Sequence, residues 1–417
     1  MKPDASPGTD VSSPEPRTEE AHELLEHVRS RRDEFVDFLA RLCTVESPTD
    51  HPDTQSAVHA ILGPAFEDLG FDVRVVTGKK SGNHLLAFPK RRRASAPRQL
   101  LVGHSDTVWP LQTLETMPVR VEEGRLHGPG TLDMKGGLTQ IVFALEALRA
   151  LDRDPDVIPV VFVNSDEEVG SPDSKRHVRR LARRAQRALI LEPSLGPRGL
   201  IKTARKGVGR FEVTVRGRAA HAGLDPDAGV SAILELSNVI QELNRLNDPE
   251  AGTTVNVGRI DGGTRPNVVA AEASASVDVR VASVQAGEEL EARVQAIKPT
   301  RDGIELSIEG GIRVAPLERT PRNQQLWRTA QALGGELGLS LEDTMAGGGS
   351  DGNTTSLYTA TLDGLGCIGD GAHADHEHIV IDPSVDRCAF LARLLLAPPM
   401  GEGVVTGERT DQRRRDP

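Results

Sequence analysis

Three apolar runs in this chain stop on a histidine or an acid, and that punctuation constrains the fold more than any other feature. QLLVG (99–103) runs into His104, VVFVN (160–164) into Asp166, Glu167 and Glu168 after one serine, and ALIL (188–191) into Glu192. Further short apolar or β-branched runs stand at FDVRVV and HLLAF. Helical periodicity covers 19–42, 55–69, 136–151 and 172–185, so helix and buried strand alternate. That alternation predicts an α/β sandwich around a largely parallel sheet. In such a sheet the carboxyl ends of the strands form the ligand crevice, where these histidines and acids gather. Two adjacent glutamates at a strand tip repel each other unless something positive sits between them.

Between 207 and 313 the texture changes. FEVTVRG, TVNVGRI, ASASVDVRV and IELSIEG alternate apolar and polar residues, the pattern of a sheet exposed on one side. Helical stretches at 228–246 and 286–297 separate them. The chain of 417 residues is long enough for two bodies. The expected division is a disordered segment at 1–17, a first catalytic part at 18–206, an inserted α+β unit at 207–315, a second catalytic part at 316–400 and a flexible, Arg-rich tail at 401–417.

Composition narrows the function classes. A net charge of −11 argues against a sequence-independent grip on nucleic acid, and the arginines at 91–93 and 413–415 read as solvated loop and tail. No apolar run approaches the roughly 20 residues of a membrane-spanning helix. The opening MKPDASPGTDVSSPEP lacks the apolar stretch of a secretory signal, so a cytoplasmic location is expected. Cys43, Cys367 and Cys388 lack paired spacing and are read as buried packing in a reduced compartment.

His104 and Asp106 lie two residues apart, on one face of extended chain, as a metal ligand and the oxygen that orients it. Asp133 stands in the Gly-rich turn GPGTLDMKGG, and GDGAHADHEHIVID offers His373, His376 and His378. Singly, each of these is an ordinary turn or cap residue, and Glu167 and Glu168 make a solvated face. As a set, without an opposing Lys or Arg cluster, imidazole plus carboxylate suits zinc. Lys202 and Arg205 read equally as charge for an acidic substrate side chain and as solvated strand-edge charge.

The ordered motifs GHSDTV, GPGTLDMKGG, SDEEVGS, LEPS, RAAHAGLDPDAGVSAILEL, GGTRPNVV, VDVR, GGGSDGNTTS and GAHADHEH resemble the co-catalytic zinc metallopeptidases. That family includes glutamate carboxypeptidase, aminoacylase, acetylornithine deacetylase and succinyl-diaminopimelate desuccinylase, and the likeness runs from about 42 to 396. The GGGSDGNTTS and IGDGAH segments look nearest to the glutamate carboxypeptidase branch. The resemblance implies two divalent ions, most readily zinc, with cobalt or manganese as alternatives. Asp133 would bridge them, His104 and Glu192 would complete one, and Glu168 and His373 the other. Glu167 would be the general base, Asp106 would orient His104, and Asp166 would be a turn residue. The three crowded histidines keep the family spacing only approximately, which leaves His376 and His378 as alternatives to His373.

By the same resemblance, 207–315 would be a dimerisation domain forming a homodimer, and His221 would reach the partner's site to stabilise an oxyanion. Asn267 would be a second polar contact, and Arg280 the clamp for a substrate carboxylate. The alternative for Arg280 is a pairing along its own strand face. The expected activity is hydrolysis of a peptide or N-acyl amide bond with release of a free amino acid. The alternatives are a biosynthetic N-acyl amino-acid deacylase and a non-catalytic peptide-binding protein.

Overall fold

The computed structural model describes residues 17–91 and 95–401. The segments read as disordered and as a flexible tail therefore fall outside the described residues, apart from Arg17 and Gly401, as do the arginines at 92, 93 and 413–415.

The strands Arg98–His104, Ile158–Asn164 and Arg187–Ile190 are buried almost throughout, which a near-continuous apolar run demands. They form the centre of a six-stranded sheet ordered Phe71–Val76, His84–Pro89, Ile158–Asn164, Arg98–His104, Arg187–Ile190 and Ala360–Leu362. The last four run parallel, and the first two add an antiparallel edge. The fold is mixed α/β with a largely parallel sheet. Successive residues of one strand face opposite cores: Leu101, Val161 and Leu189 pack into the larger, while Leu100, Val160 and Ala188 pack into the smaller. Helix Gly136–Ala150 lies against the sheet, and a Cβ at Gly137 would run into the Leu191 carbonyl oxygen. That close approach lets the turn carrying Glu192 sit over the first turn of the helix.

A second core belongs to the antiparallel sheet ordered Thr254–Gly262, Glu272–Val281, Gly207–Arg216 and Glu305–Val314. Phe211, Val213, Val277 and Val279 point to one side, where helices Ala232–Asn244 and Val284–Gln295 cover them. Among the described residues no helix is long and apolar enough to cross a membrane.

The periodic stretch expected over 19–42 is two helices, Glu19–Ser30 and Arg32–Cys43. The backbone leaves helical angles at Arg31, after the Ser30 hydroxyl donates to the His27 carbonyl. The helix expected over 172–185 is only Lys175–Ala182, because the N–H groups of Asp173 and Ser174 turn back to Asp166. The helices expected at 228–246 and 286–297 begin instead at Ala232 and Val284, where the Ser231 and Ser283 hydroxyls accept N–H bonds as N-caps. Cys43, Cys367 and Cys388 are free and buried.

Two pairings escaped the hydrophobic pattern because their strands are short. Ile201–Arg205 pairs in parallel with Asp343–Ala346. His378–Val380 pairs with Arg125–His127, which lays the histidine-rich loop against the turn of Asp133.

Candidate metal centre

His104 ends its strand and is buried. Its Nδ1 lies 2.9 Å from the Asp106 carbonyl oxygen and 3.5 Å from the Asp106 carboxylate. One ring nitrogen is thus taken by Asp106, and Nε2 turns to Asp133 Oδ1 at 3.2 Å and Glu192 Oε1 at 3.6 Å. Asp106 is itself fixed, since its carboxylate accepts from the Thr49 hydroxyl at 2.8 Å and from the N–H groups of Glu167 and Glu168 at 3.3 and 3.2 Å.

The other oxygen of Asp133 faces a different pair. Oδ2 stands 3.3 Å from His373 Nε2, which stands 3.2 Å from Glu168 Oε2. His373 follows the Gly371 turn in left-handed backbone, at φ 63°, and this aims its ring inward. His376 is exposed beside Asp375, and His378 lies against the His127 ring. Among the described residues, neither of those two bonds or ion-pairs with Asp133 or Glu168.

Glu167 and Glu168 share one short turn, Glu167–Val169, yet join different groups. Ligand atoms of Glu167, His104 and Glu192 lie within 4.8 Å of one another, and so do those of Glu168, His104 and Asp133.

The electrostatics follow from crowding acids in a buried cleft. Burial, then the nearby Glu192 charge, pushes Glu167 well above the usual carboxylate range. Burial and Asp133 push Glu192 up to about 7. Burial also raises Glu168. Asp133 moves the other way, because contacts with His104 and His373 outweigh its burial. Those with Asp133 and Glu168 lift His373 to about 10. A set of carboxylates that repel one another around two imidazoles, with the Arg205 guanidinium reaching only Glu192 among them, fits divalent cations. Glu168 Oε1 adds to the fit, being buried with no hydrogen-bond partner.

Lys202 and Arg205 correct one expectation, since they are not solvated: they are 7% and 4% exposed. Their strand is buried along its length. The Arg205 guanidinium grips Asp363 at 2.8 and 3.0 Å, reaches Glu192 Oε2 at 3.3 Å and donates to the carbonyls of Gly348 and Gly349. Sequence reasoning missed Asp363, Asp351 and Glu377. Asp351 holds the strand end through Asn164 and Ser171, and Glu377 sits behind Asp133. The signal for Glu377 was an acid placed among the three histidines.

His221, Asn267 and Arg280 are not brought to this cluster within one chain. Among the described residues, no hydrogen bond or ion pair joins them to it. His221 is exposed, and its Nδ1 accepts the N–H groups of Gly223 and Leu224, both at 3.2 Å. Asn267 is next to it in space, its carbonyl taking the Ala222 N–H. Arg280 forks onto Asp278 at 2.9 and 3.0 Å, the pairing along its own strand.

Residues 203–301 match a peptidase dimerisation domain. Acetylornithine deacetylase of Myxococcus xanthus is 32% identical over 307 residues, covering 70% of this chain and 78% of that protein. Carboxypeptidase G2 of Pseudomonas sp. (strain RS-16) is 28% identical over 378 residues, covering 87% of this chain and 88% of that one. Aminopeptidase PepT from Bacillus cereus has the same fold, with a TM-score of 0.74 at 22% identity over 89% of this chain and 98% of its own. Fold, site and relatives define a hydrolytic enzyme of the metallopeptidase and amidohydrolase class. The chain belongs to the M20 peptidase family, acting as a peptidase or deacylase on a small peptide or acyl amino acid.

Proposed function

We propose that this protein is a dinuclear zinc hydrolase that cleaves a peptide or N-acyl amide bond and releases a free C-terminal amino acid, as a glutamate carboxypeptidase does. The observation that carries the reading is Asp133, whose two oxygens face two different imidazole and carboxylate pairs. His104 and Glu192 would hold one ion, His373 and Glu168 the other, and Asp133 both. When bound, such a pair supplies Lewis acidity, which acidifies water and polarises an amide carbonyl.

The chain's own residues supply the proton transfers and the positioning. Glu167, made more basic by burial and by the nearby Glu192 charge, takes a proton from the attacking water and returns it to the leaving nitrogen. Asp106 keeps His104 in one orientation and fixes the Glu167 backbone at the same time. A pocket of about 710 Å³ opens beside Glu168, a volume that takes a small ligand.

The unit at 207–315 we read as a dimerisation and lid domain of a homodimer. His221 Nδ1 accepts two backbone N–H bonds, which places the ring proton on Nε2. That N–H is a donor for an oxyanion in the partner subunit's site. Asn267 adds a polar contact. Arg280 serves as the carboxylate clamp only on releasing Asp278.

A second reading, an N-acyl amino-acid deacylase of the acetylornithine or succinyl-diaminopimelate type, is favoured by the 32% identity to acetylornithine deacetylase. A screen of N-acyl amino acids and dipeptides with zinc-loaded protein, identifying the free amino acid released, separates the two. Release of glutamate from acyl-glutamates supports the first. Turnover confined to acetylornithine or succinyl-diaminopimelate supports the second.

A further inference from the structure

The turn that carries Asp133 is irregular and buried, and its N–H groups need partners from elsewhere. Gly128 and Gly130 have φ of 147° and 72°, and Asp133 and Met134 are non-helical. Glu377, 0% exposed, supplies the acceptors. Its Oε1 accepts from the N–H groups of Leu132 and Asp133, both at 2.9 Å. Oε2 accepts from the Gly130 N–H at 2.9 Å and the Trp109 indole N–H at 2.8 Å. A carboxylate offers about four lone-pair sites, and all four are taken. The carbonyl of Glu377 also accepts the Gly128 N–H at 3.2 Å.

Glu377 lies four residues beyond His373, on the same loop. One side chain therefore ties the loop of His373 to the turn of Asp133. We propose that Glu377 is the positioning residue of the metal centre: by holding the Asp133 backbone from behind, it sets the direction of the two oxygens that face the two halves of the site. The proposal rests on the two-ion reading.

The chemistry makes Glu377 hard to replace. Burial pushes Glu377 up to about 7 while its four N–H donors favour the ionised form, which binds such donors roughly twice as strongly as a neutral acceptor. Glutamine presents an NH₂ where two of the four donors already point, so either the Asp133 end or the Gly130 and Trp109 end must let go. Trp109→Phe removes one donor from Oε2 and leaves both bonds to the Asp133 end.

The test is zinc binding by the folded proteins, measured by calorimetry against a competing chelator, with the Tm of each zinc-free protein recorded. Glu377→Gln is expected to weaken zinc by about 10- to 100-fold, the usual effect of losing an outer-shell partner, and Trp109→Phe by clearly less. Wild-type zinc affinity in Glu377→Gln, with only its Tm lowered, overturns the proposal. So does an equal loss in Trp109→Phe, which would make the effect one of loop packing. Should Glu377→Gln not fold, Glu377→Asp keeps the charge and withdraws it by one methylene. It is expected to lose about tenfold in zinc affinity, and wild-type affinity there overturns the proposal equally. Zinc binding absent from the wild type itself is a different result, which removes the two-ion reading beneath the proposal.

Discussion

Arg205 Nη2 stands 3.3 Å from Glu192 Oε2, and both side chains are buried. The same guanidinium grips Asp363, so one cation balances two acids behind the metal centre. Removing it leaves Asp363 with the Ser350 hydroxyl and Glu192 with His104, and neither with its guanidinium. Arg205→Met is expected to destabilise the protein by about 3–5 kcal/mol, read as a shift in the urea midpoint. Arg205→Lys keeps the charge but not the fork, and should fall between the two.

Glu167 is expected to act on protons and not on metal. In Glu167→Gln the bound metal, measured by elemental analysis, should match wild type. Turnover should fall by about two to four orders of magnitude. Normal turnover in this variant, beside normal metal content in Glu168→Gln, would reverse the roles given to the adjacent pair.

His221 should act on the transition state, so His221→Ala should lower kcat far more than it raises KM. Because no hydrogen bond or ion pair joins His221 to the cluster of its own chain among the described residues, mixed dimers are informative. Combining His221→Ala subunits with Glu167→Gln subunits should restore activity that neither has alone. Verified heterodimers without activity would show that His221 does not serve the partner's site.

Acid sensitivity should trace in part to His59. Burial lowers its pKa from 6.5 to about 4, and the nearby His84 adds to this. The folded state therefore prefers the neutral ring. The stability this group contributes is present above pH 6.5 and is lost as pH falls through about 4, by at most about 3 kcal/mol. In His59→Gln the decline between those two pH values should be shallower in urea titrations. An unchanged slope would assign the sensitivity to other groups.

The parts of the fold legible in the sequence were those with a local cause. Buried strands announce themselves as apolar runs, so Ile158–Asn164 and its neighbours were visible, as was the exposed face of Glu272–Val281 in its alternation. The same period of two placed Asp278 and Arg280 on one face, and they pair there. The groups behind the site had no such signal. Glu377 bonds Asp133 across 244 positions, and Arg205 meets Asp363 across 158. Short strands such as His378–Val380 make those meetings, and three residues carry too little pattern to read. Arg205 read equally as charge for a substrate and as strand-edge charge, because a buried arginine looks like an exposed one until its acids are found.

The central claim is a centre of two ions bridged by Asp133, and the most direct measurement is metal content. Zinc-saturated protein, freed of unbound metal, should carry close to two ions per chain by elemental analysis, and chelation should abolish turnover until zinc returns. Asp133→Ala, which removes both bridging oxygens, should carry fewer than one. Active wild-type protein with only background metal, or with a single ion whose content Asp133→Ala leaves unchanged, would contradict the account.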